Sequence, residues 1–175
     1  MSNAVQAGAS LANLIMPLKG GGLLVPNSCV TEVASAGQLV SALSSDCVVG
    51  LMRWRSKNIP LVSFEALRDG VMPDTASFRQ VAVMSGLTAH EQLPHYAIIL
   101  ASVPHLLSLR EVDIQLDDNT DLAEREAVYA QVLVHGQRLI VPNLDAVEAK
   151  ILHTIGEAPT EAASEHTTEN NDSLS

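Results

Sequence analysis

Histidines, neighbouring carboxylates and two thiols are the side chains in this sequence with obvious chemical uses. The stretch His90-Glu91-Gln92-Leu93-Pro94-His95 invites a metal reading, since imidazole and carboxylate are common zinc ligands. The helical zinc motif needs its histidines four apart on one face. Here they are five apart and Pro94 interrupts any helix, so the stretch reads as a polar loop. His105 and His135 sit among apolar runs without Cys or carboxylate partners at ligand spacing, and read as core or edge histidines. Asp117 and Asp118 are adjacent carboxylates, but the run through Asp121, Glu124, Arg125 and Glu126 reads as a solvated loop without the pocket that acid/base work needs. Cys29 and Cys47 lack the basic neighbours that would generate a thiolate. Gly20-Gly21-Gly22 joins two apolar stretches, as a hairpin turn would, rather than opening a phosphate-binding helix. No nucleophile elbow, phosphate loop or zinc-type cysteine spacing occurs. The residues therefore predict no catalytic group, no metal site and no cofactor.

The composition points the same way. The chain has 175 residues, 47% of them apolar, with 20 acidic against 10 basic side chains. That is enough for one domain, or two small ones sharing a core, and too apolar for a disordered chain. No apolar stretch approaches the roughly 20 residues of a membrane helix, so no direct membrane insertion is expected. A net charge of −10 and 3% aromatic residues exclude nucleic acid as a natural partner. The opening MSNAVQAGAS has no basic region ahead of an apolar one, so a cytoplasmic location is expected, with Cys29 and Cys47 as buried free thiols. Residues 1–10 read as a flexible N-terminus, and residues 157–175 as a disordered acidic tail in which Glu157, Glu161, Glu165, Glu169 and Asp172 meet no Lys or Arg.

Between these ends, short runs of Val, Ile and Leu separated by breakers predict an all-β body over 11–156. The expected strands are Asn13–Leu18, Leu23–Val33, Val48–Arg55, Ile59–Ser63, Gln80–Met84, Tyr96–Val103, Val128–His135 and Leu139–Val141, with Pro26 and Pro60 marking edges or bulges. A breaker-rich stretch from Asp69 to Ser77 divides this body into intertwined parts of about 11–70 and 78–156. Val48 to Leu67 can be laid on Val128 to Val147 at an offset of 80. Each copy is a strand, a polar turn (Arg55-Ser56-Lys57-Asn58; His135-Gly136-Gln137-Arg138), a second strand and a short helix. Ser63 and either Asn143 or Asp145 are the candidate N-caps, Glu148 stands where a capping box would put it if Asp145 caps, and Gly70 and Gly156 can end the helices. Two copies of a hairpin-plus-helix unit suggest paired small barrels with a shared interior.

With that repeat in view, the sequence resembles the CheW family of chemosensory adaptors. Val30-Thr31-Glu32-Val33 answers the family's Val-x-Glu-Val segment. Gly50-Leu51-Met52-Arg53-Trp54-Arg55-Ser56, followed by Ile59-Pro60-Leu61-Val62, answers its Gly-x-x-x-x-Arg-Gly and Pro-containing strand. Ala97 to Leu109 and Ala130 to Val147 look like later family strands, and the likeness spans roughly residues 10 to 155. Ser56 replaces the family's glycine, and Ile98 and Ala101 stand where it carries Gly and Asp. The Trp-Arg-Ser-Lys stretch looks most like the divergent CheW-like proteins of the pilus system that controls twitching motility. The resemblance implies two five-stranded, SH3-like barrels around a common core, with short helices after the hairpins. It also implies a non-enzymatic adaptor that couples the cytoplasmic tip of a chemoreceptor to the regulatory domain of a CheA-type histidine kinase.

Arg55 is the residue on which motif and chemistry meet: beside a turn, its guanidinium could bond a partner's carboxylate or cap carbonyls internally. Trp54 and Lys57 flank it, and Trp54, the single tryptophan, is as fit for a core as for an interface. Arg55, Val30, Glu32, Trp54 and Lys57 are the expected interaction residues, with Pro26, Pro60, Arg53, Arg55 and Lys57 guarding strand edges against indiscriminate pairing. Rival readings are a small metal- or histidine-dependent hydrolase using His90, His95 or His135, and a module of the same fold serving another kinase. Since no packed apolar surface is expected after Gly156, truncation there should leave the melting temperature within about 2 °C. Thermal denaturation of the shortened chain checks this.

Overall fold

A computed structural model describes residues 8–43, 45–74, 78–117 and 126–157. Most of the expected N-terminal arm, the charged stretch from Asp118 to Arg125 and the acidic tail after Glu157 lie outside the described residues. The chain runs β1 (Leu11–Leu18), β2 (Gly21–Pro26), β3 (Val30–Ser35), β4 (Leu39–Ala42), β5 (Val48–Trp54), β6 (Lys57–Val62) and α1 (Phe64–Asp69). It continues with β7 (Gln80–Ser85), β8 (His95–Leu100), β9 (His105–Leu109), β10 (Ile114–Leu116), β11 (Val128–Val134), β12 (Gln137–Pro142) and α2 (Leu144–Glu157).

The strands form two six-stranded sheets, ordered β10-β11-β12-β2-β1-β9 and β3-β7-β8-β6-β5-β4. The orders are the same under exchange of β1–β6 with β7–β12. The chain is thus two copies of a six-strand-plus-helix unit, and each copy lends its first hairpin to the other's sheet. β1–β2 joins β9–β12 through a parallel pairing at Ile140 and Leu23, and β7–β8 joins β3–β6 at Leu61 and Ala97. The bulge between Val48 and Gly50 recurs between Val128 and Ala130, at the repeat's own offset. In each sheet the two outer strands are consecutive in the chain, so each closes on itself as a barrel: barrel I from β1, β2 and β9–β12, barrel II from β3–β8. A bend at residues 36–38 and a 3-10 turn at Glu111–Asp113 split each closing path into two strands, which makes six where the resemblance implies five.

Three cores follow from strand alternation. Ile15, Leu24, Val132, Val134 and Leu139 fill barrel I; Met52, Trp54, Ile59, Leu61, Val81, Val83, Ala97 and Ile99 fill barrel II. The opposite faces of the same strands, including Leu14, Met16, Leu23, Val25, Met84, Tyr96, Ile98 and Leu100, meet between the barrels in a third core with Phe64, Val147 and Ile151 from the helices. Ile98, at a position where the family carries glycine, is fully buried there.

Several expectations need correction. Leu23–Val33 is not one strand: Pro26 ends β2, a 3-10 turn at Asn27–Cys29 follows, and β3 enters the other barrel. β4 and β10 are absent from the expected strands, and β9 was expected only through the family resemblance, because all three are short and mostly exposed. Pro60 does not mark an edge. It is buried in β6, an interior strand, just before the parallel ladder to β8 begins at Leu61, where its missing N–H leaves that ladder intact. Arg53 and Lys57 likewise lie on interior strands, so they guard no edge; the edges are β3, β4, β9 and β10. α2 continues through Gly156 to Glu157.

Both helices fasten the borrowed hairpins. Ser63 caps α1 by accepting from the Ala66 amide at 3.2 Å, and Asn143 rather than Asp145 caps α2 by accepting from Ala146 at 3.2 Å. Glu148 makes no capping box. Its carboxylate, 1% exposed, accepts from the amides of Leu87, Thr88 and Ala89 at 2.8, 3.0 and 3.1 Å, while Asp145 accepts from the Thr88 hydroxyl. On α1, Glu65 accepts from the Lys19 amide at 3.0 Å and Arg68 donates to the Lys19 carbonyl at 3.3 Å. Each helix therefore grips the turn of the hairpin that its own copy lends to the other barrel. Glu148→Ala leaves three amides without their acceptor and is expected to cost about 2–3 kcal/mol, lowering the melting temperature by roughly 5–10 °C. Thermal denaturation followed by circular dichroism measures this.

Candidate functional site

The β5–β6 hairpin carries most of the expected interaction residues to one end of barrel II. Trp54 pairs with Lys57, which leaves Arg55 and Ser56 as a two-residue turn. Arg55 adopts φ +52°, a conformation costly for a non-glycine residue, and its repeat partner His135 adopts φ +49°. Positive φ at this position matches the twist of a tight hairpin. Gly50, the first residue of the motif, serves packing: a Cβ there would lie 2.1 Å from the Ser41 carbonyl oxygen, so only glycine lets β4 close on β5.

Glu32 organises the site. One of its oxygens, Oε2, accepts from Arg55 Nη2 at 2.8 Å and from the Trp54 indole N–H at 3.3 Å. The Arg55 guanidinium lies over the Trp54 ring, 4.7 Å from its centroid. Trp54 itself is 8% exposed and plugs the end of barrel II, with the His95 ring tilted against it at 4.9 Å. The Arg55 side chain remains 67% exposed. Fixed on one edge by Glu32 and on one face by Trp54, it presents the remainder of its fork to solvent as a pre-positioned donor for a carboxylate.

The structure brings Glu32, Trp54, Arg55 and Lys57 together and leaves Val30 apart. A bulge between Val30 and Glu32 sets Val30 opposite Met84, against the shared core, and Glu32 opposite Val83, toward barrel II. His95, expected in a loop, is the first residue of β8. The apolar run that follows it was the signal for a strand, but its contact with Trp54 is tertiary. Burial, then the charges of Lys57, His90 and Arg55, lower the His95 pKa, and its Nδ1 is buried without a hydrogen-bond partner among the described residues.

The other chemical candidates are dispersed. His105 and His135 are exposed rather than in a core. Asp117 is not a free loop carboxylate: its side chain is 11% exposed and forms an ion pair with Arg138, Nε to Oδ2 2.6 Å. Cys47 is buried and Cys29 half-buried, both free, with thiol pKa values raised by burial. Among the described residues, no group of three His, Cys, Asp or Glu side chains is placed to hold a metal. No described helix is long and apolar enough to cross a membrane.

The lowered His95 pKa has a sign. The unfolded chain takes up the imidazole proton near pH 6.5, before the folded chain does, so His95 lowers stability as the pH falls below that value. Melting temperatures at pH 7 and pH 5 are expected to differ less for His95→Gln than for the unaltered chain; equal differences would show that His95 does not contribute.

No family model matches the chain, and no curated protein matches its sequence. Among solved structures it is similar to the crystal structure of the scaffolding protein TtCheW from Thermoanaerobacter tengcongensis, with a TM-score of 0.62 and 12% identity, over 82% of this chain and 91% of that one. Two small barrels that share a core and exchange hairpins are thus the CheW fold.

Proposed function

We propose that this protein is a non-enzymatic adaptor that couples the cytoplasmic tip of a chemoreceptor to the regulatory domain of a CheA-type histidine kinase. The supporting observation is Arg55: on a CheW fold, at the barrel end, it is held by Glu32 and Trp54 yet open to a partner. Holding the guanidinium in advance lowers the ordering cost of forming a second, charge-assisted bond across an interface. Val30, at the rim of the shared core, belongs to a second contact in the groove between the barrels, and residues 11–156 form the functional unit. The adaptor works in the cytoplasm, recruited to receptor arrays, and serves a type IV pilus chemosensory system, a narrower reading supported by Trp54-Arg55-Ser56-Lys57.

Arg55→Ala separates binding from folding. Loss of an exposed ion pair is expected to change stability by about 1 kcal/mol or less. Binding to a receptor tip fragment and to a kinase regulatory domain should weaken thirtyfold or more, equivalent to at least about 2 kcal/mol. Titration calorimetry with each fragment measures the loss. Unchanged affinity for both would overturn Arg55 as the docking residue, and capture of neither partner by the unaltered chain would overturn the adaptor reading.

A further inference from the structure

Gly20-Gly21-Gly22 makes no phosphate loop. It forms the β1–β2 turn, with φ +81° at Gly20 and +159° at Gly21, and a strand rather than a helix follows it. What the bare turn admits is an arginine. Arg68 of α1, its side chain 10% exposed, lays its guanidinium along the turn, with Nη1 3.4 Å from the point where a Cβ on Gly21 would stand. Asp69 accepts from Nε and Nη2 at 2.9 and 2.6 Å, and the Lys19 carbonyl accepts from Nη2 as well. Nη1 has no acceptor among the described residues, so a nearly buried guanidinium keeps that nitrogen's N–H donors unspent. Beside it opens a cavity of about 320 Å³, walled by the glycine turn, Arg68, Gln131 and Arg138, with Ile140 as its apolar side. Arg138, 58% exposed, engages Asp117 through Nε, and its terminal nitrogens also have no acceptor among the described residues. Asp69 is the one carboxylate of the described residues on the cavity wall, and it already accepts from Arg68.

We infer that this cavity binds the phosphate group of a small phosphorylated ligand. Two guanidiniums with unspent donors line it from separate elements, Arg68 from α1 and Arg138 from β12. A planar carboxylate is saturated by the edge of one guanidinium. A tetrahedral phosphate accepts from several directions at once, and so uses both. The volume is at the small end of ligand pockets and exceeds that of a bare phosphate, which leaves room for a compact organic group against Ile140 and the Gln131 amide. Asp69 and Asp117 each balance one arginine, and the chain as a whole carries −10. The attraction therefore comes from directed hydrogen bonds rather than net charge, and phosphate alone binds modestly, with a Kd on the order of 1 mM. None of these residues belongs to the β5–β6 hairpin, so the site stands independently of the adaptor reading.

Proton–nitrogen NMR on the full-length protein tests this, with inorganic phosphate titrated in at neutral pH and constant ionic strength. Saturable shifts are expected at the Gly20, Gly21 and Gly22 amides and at the Arg68 Nε–H, with a midpoint of about 1 mM. Phenyl phosphate should bind at least fivefold more tightly than benzoate, which presents the same ring on a carboxylate. Arg68 also holds the β1–β2 turn, so the variants are made at the exposed Arg138. Arg138→Lys keeps a cation for Asp117 but has a single terminal nitrogen, and should weaken phosphate binding at least fivefold while the rest of the spectrum is unchanged. Arg138→Gln should abolish saturation. No saturable shift, the same shifts with chloride, shifts centred instead on Arg53, Arg55 and Lys57, benzoate equal to phenyl phosphate, or full affinity in both variants would each overturn the inference.

Discussion

Burial of the same strands on both faces is the constraint on which this structure depends. In β8, Ala97 and Ile99 enter barrel II while Tyr96, Ile98 and Leu100 enter the core between the barrels. In β1, Ile15 turns into barrel I while Leu14 and Met16 turn the other way. A barrel this small encloses too little apolar volume to offset chain entropy of about 1–2 kcal/mol per residue. The shared layer adds a second buried face to the same backbone, at about 1.5–3 kcal/mol for each large apolar side chain removed from water. Exchange of hairpins between the two copies makes that layer continuous, because each barrel already contains strands from both halves of the chain.

Such an exchange puts each hairpin in one barrel and the helix of its own copy after the other, and buried charge ties the two together. Glu148 meets three consecutive amides of the β7–β8 loop, and Glu65 and Arg68 meet the backbone of the β1–β2 turn. A buried carboxylate is tolerated only when its lone pairs are met, and here backbone amides meet them. The ionic groups thus set where each borrowed hairpin lies, while the apolar layer supplies the driving force.

The repeat also explains why the two barrel ends differ in chemistry. Arg55 and His135 occupy equivalent left-handed turn positions, and Trp54 and Val134 precede them. In barrel II, Glu32 on the closing strand accepts from both the arginine and the indole. Its end is closed by an aromatic plug with fixed charge above it, while barrel I ends in Val134 and a His-Gly turn.

The sequence by itself determined the local units. Apolar runs broken by turn residues gave the strands, the offset of 80 gave two hairpin-plus-helix copies, and Ser63 marked a helix start, because these depend on neighbours within a few residues. It also singled out Arg55 and Glu32, as motif residues without a stated contact between them. Tertiary structure decided what crossed the chain: that β2 and β3 part company at Pro26, that Glu148 reaches the β7–β8 loop instead of its own helix start, that Pro60 lies inside a sheet, and that His95 leans on Trp54. The short exposed strands β4 and β10 were silent, and β9 was legible only through the resemblance, because they carry little periodic apolar signal and are held by ladder hydrogen bonds to neighbours that other segments supply. Side-chain pattern reports which face of a strand is buried, but in a strand buried on both faces that pattern fades, and only the partner strands fix which barrel it joins.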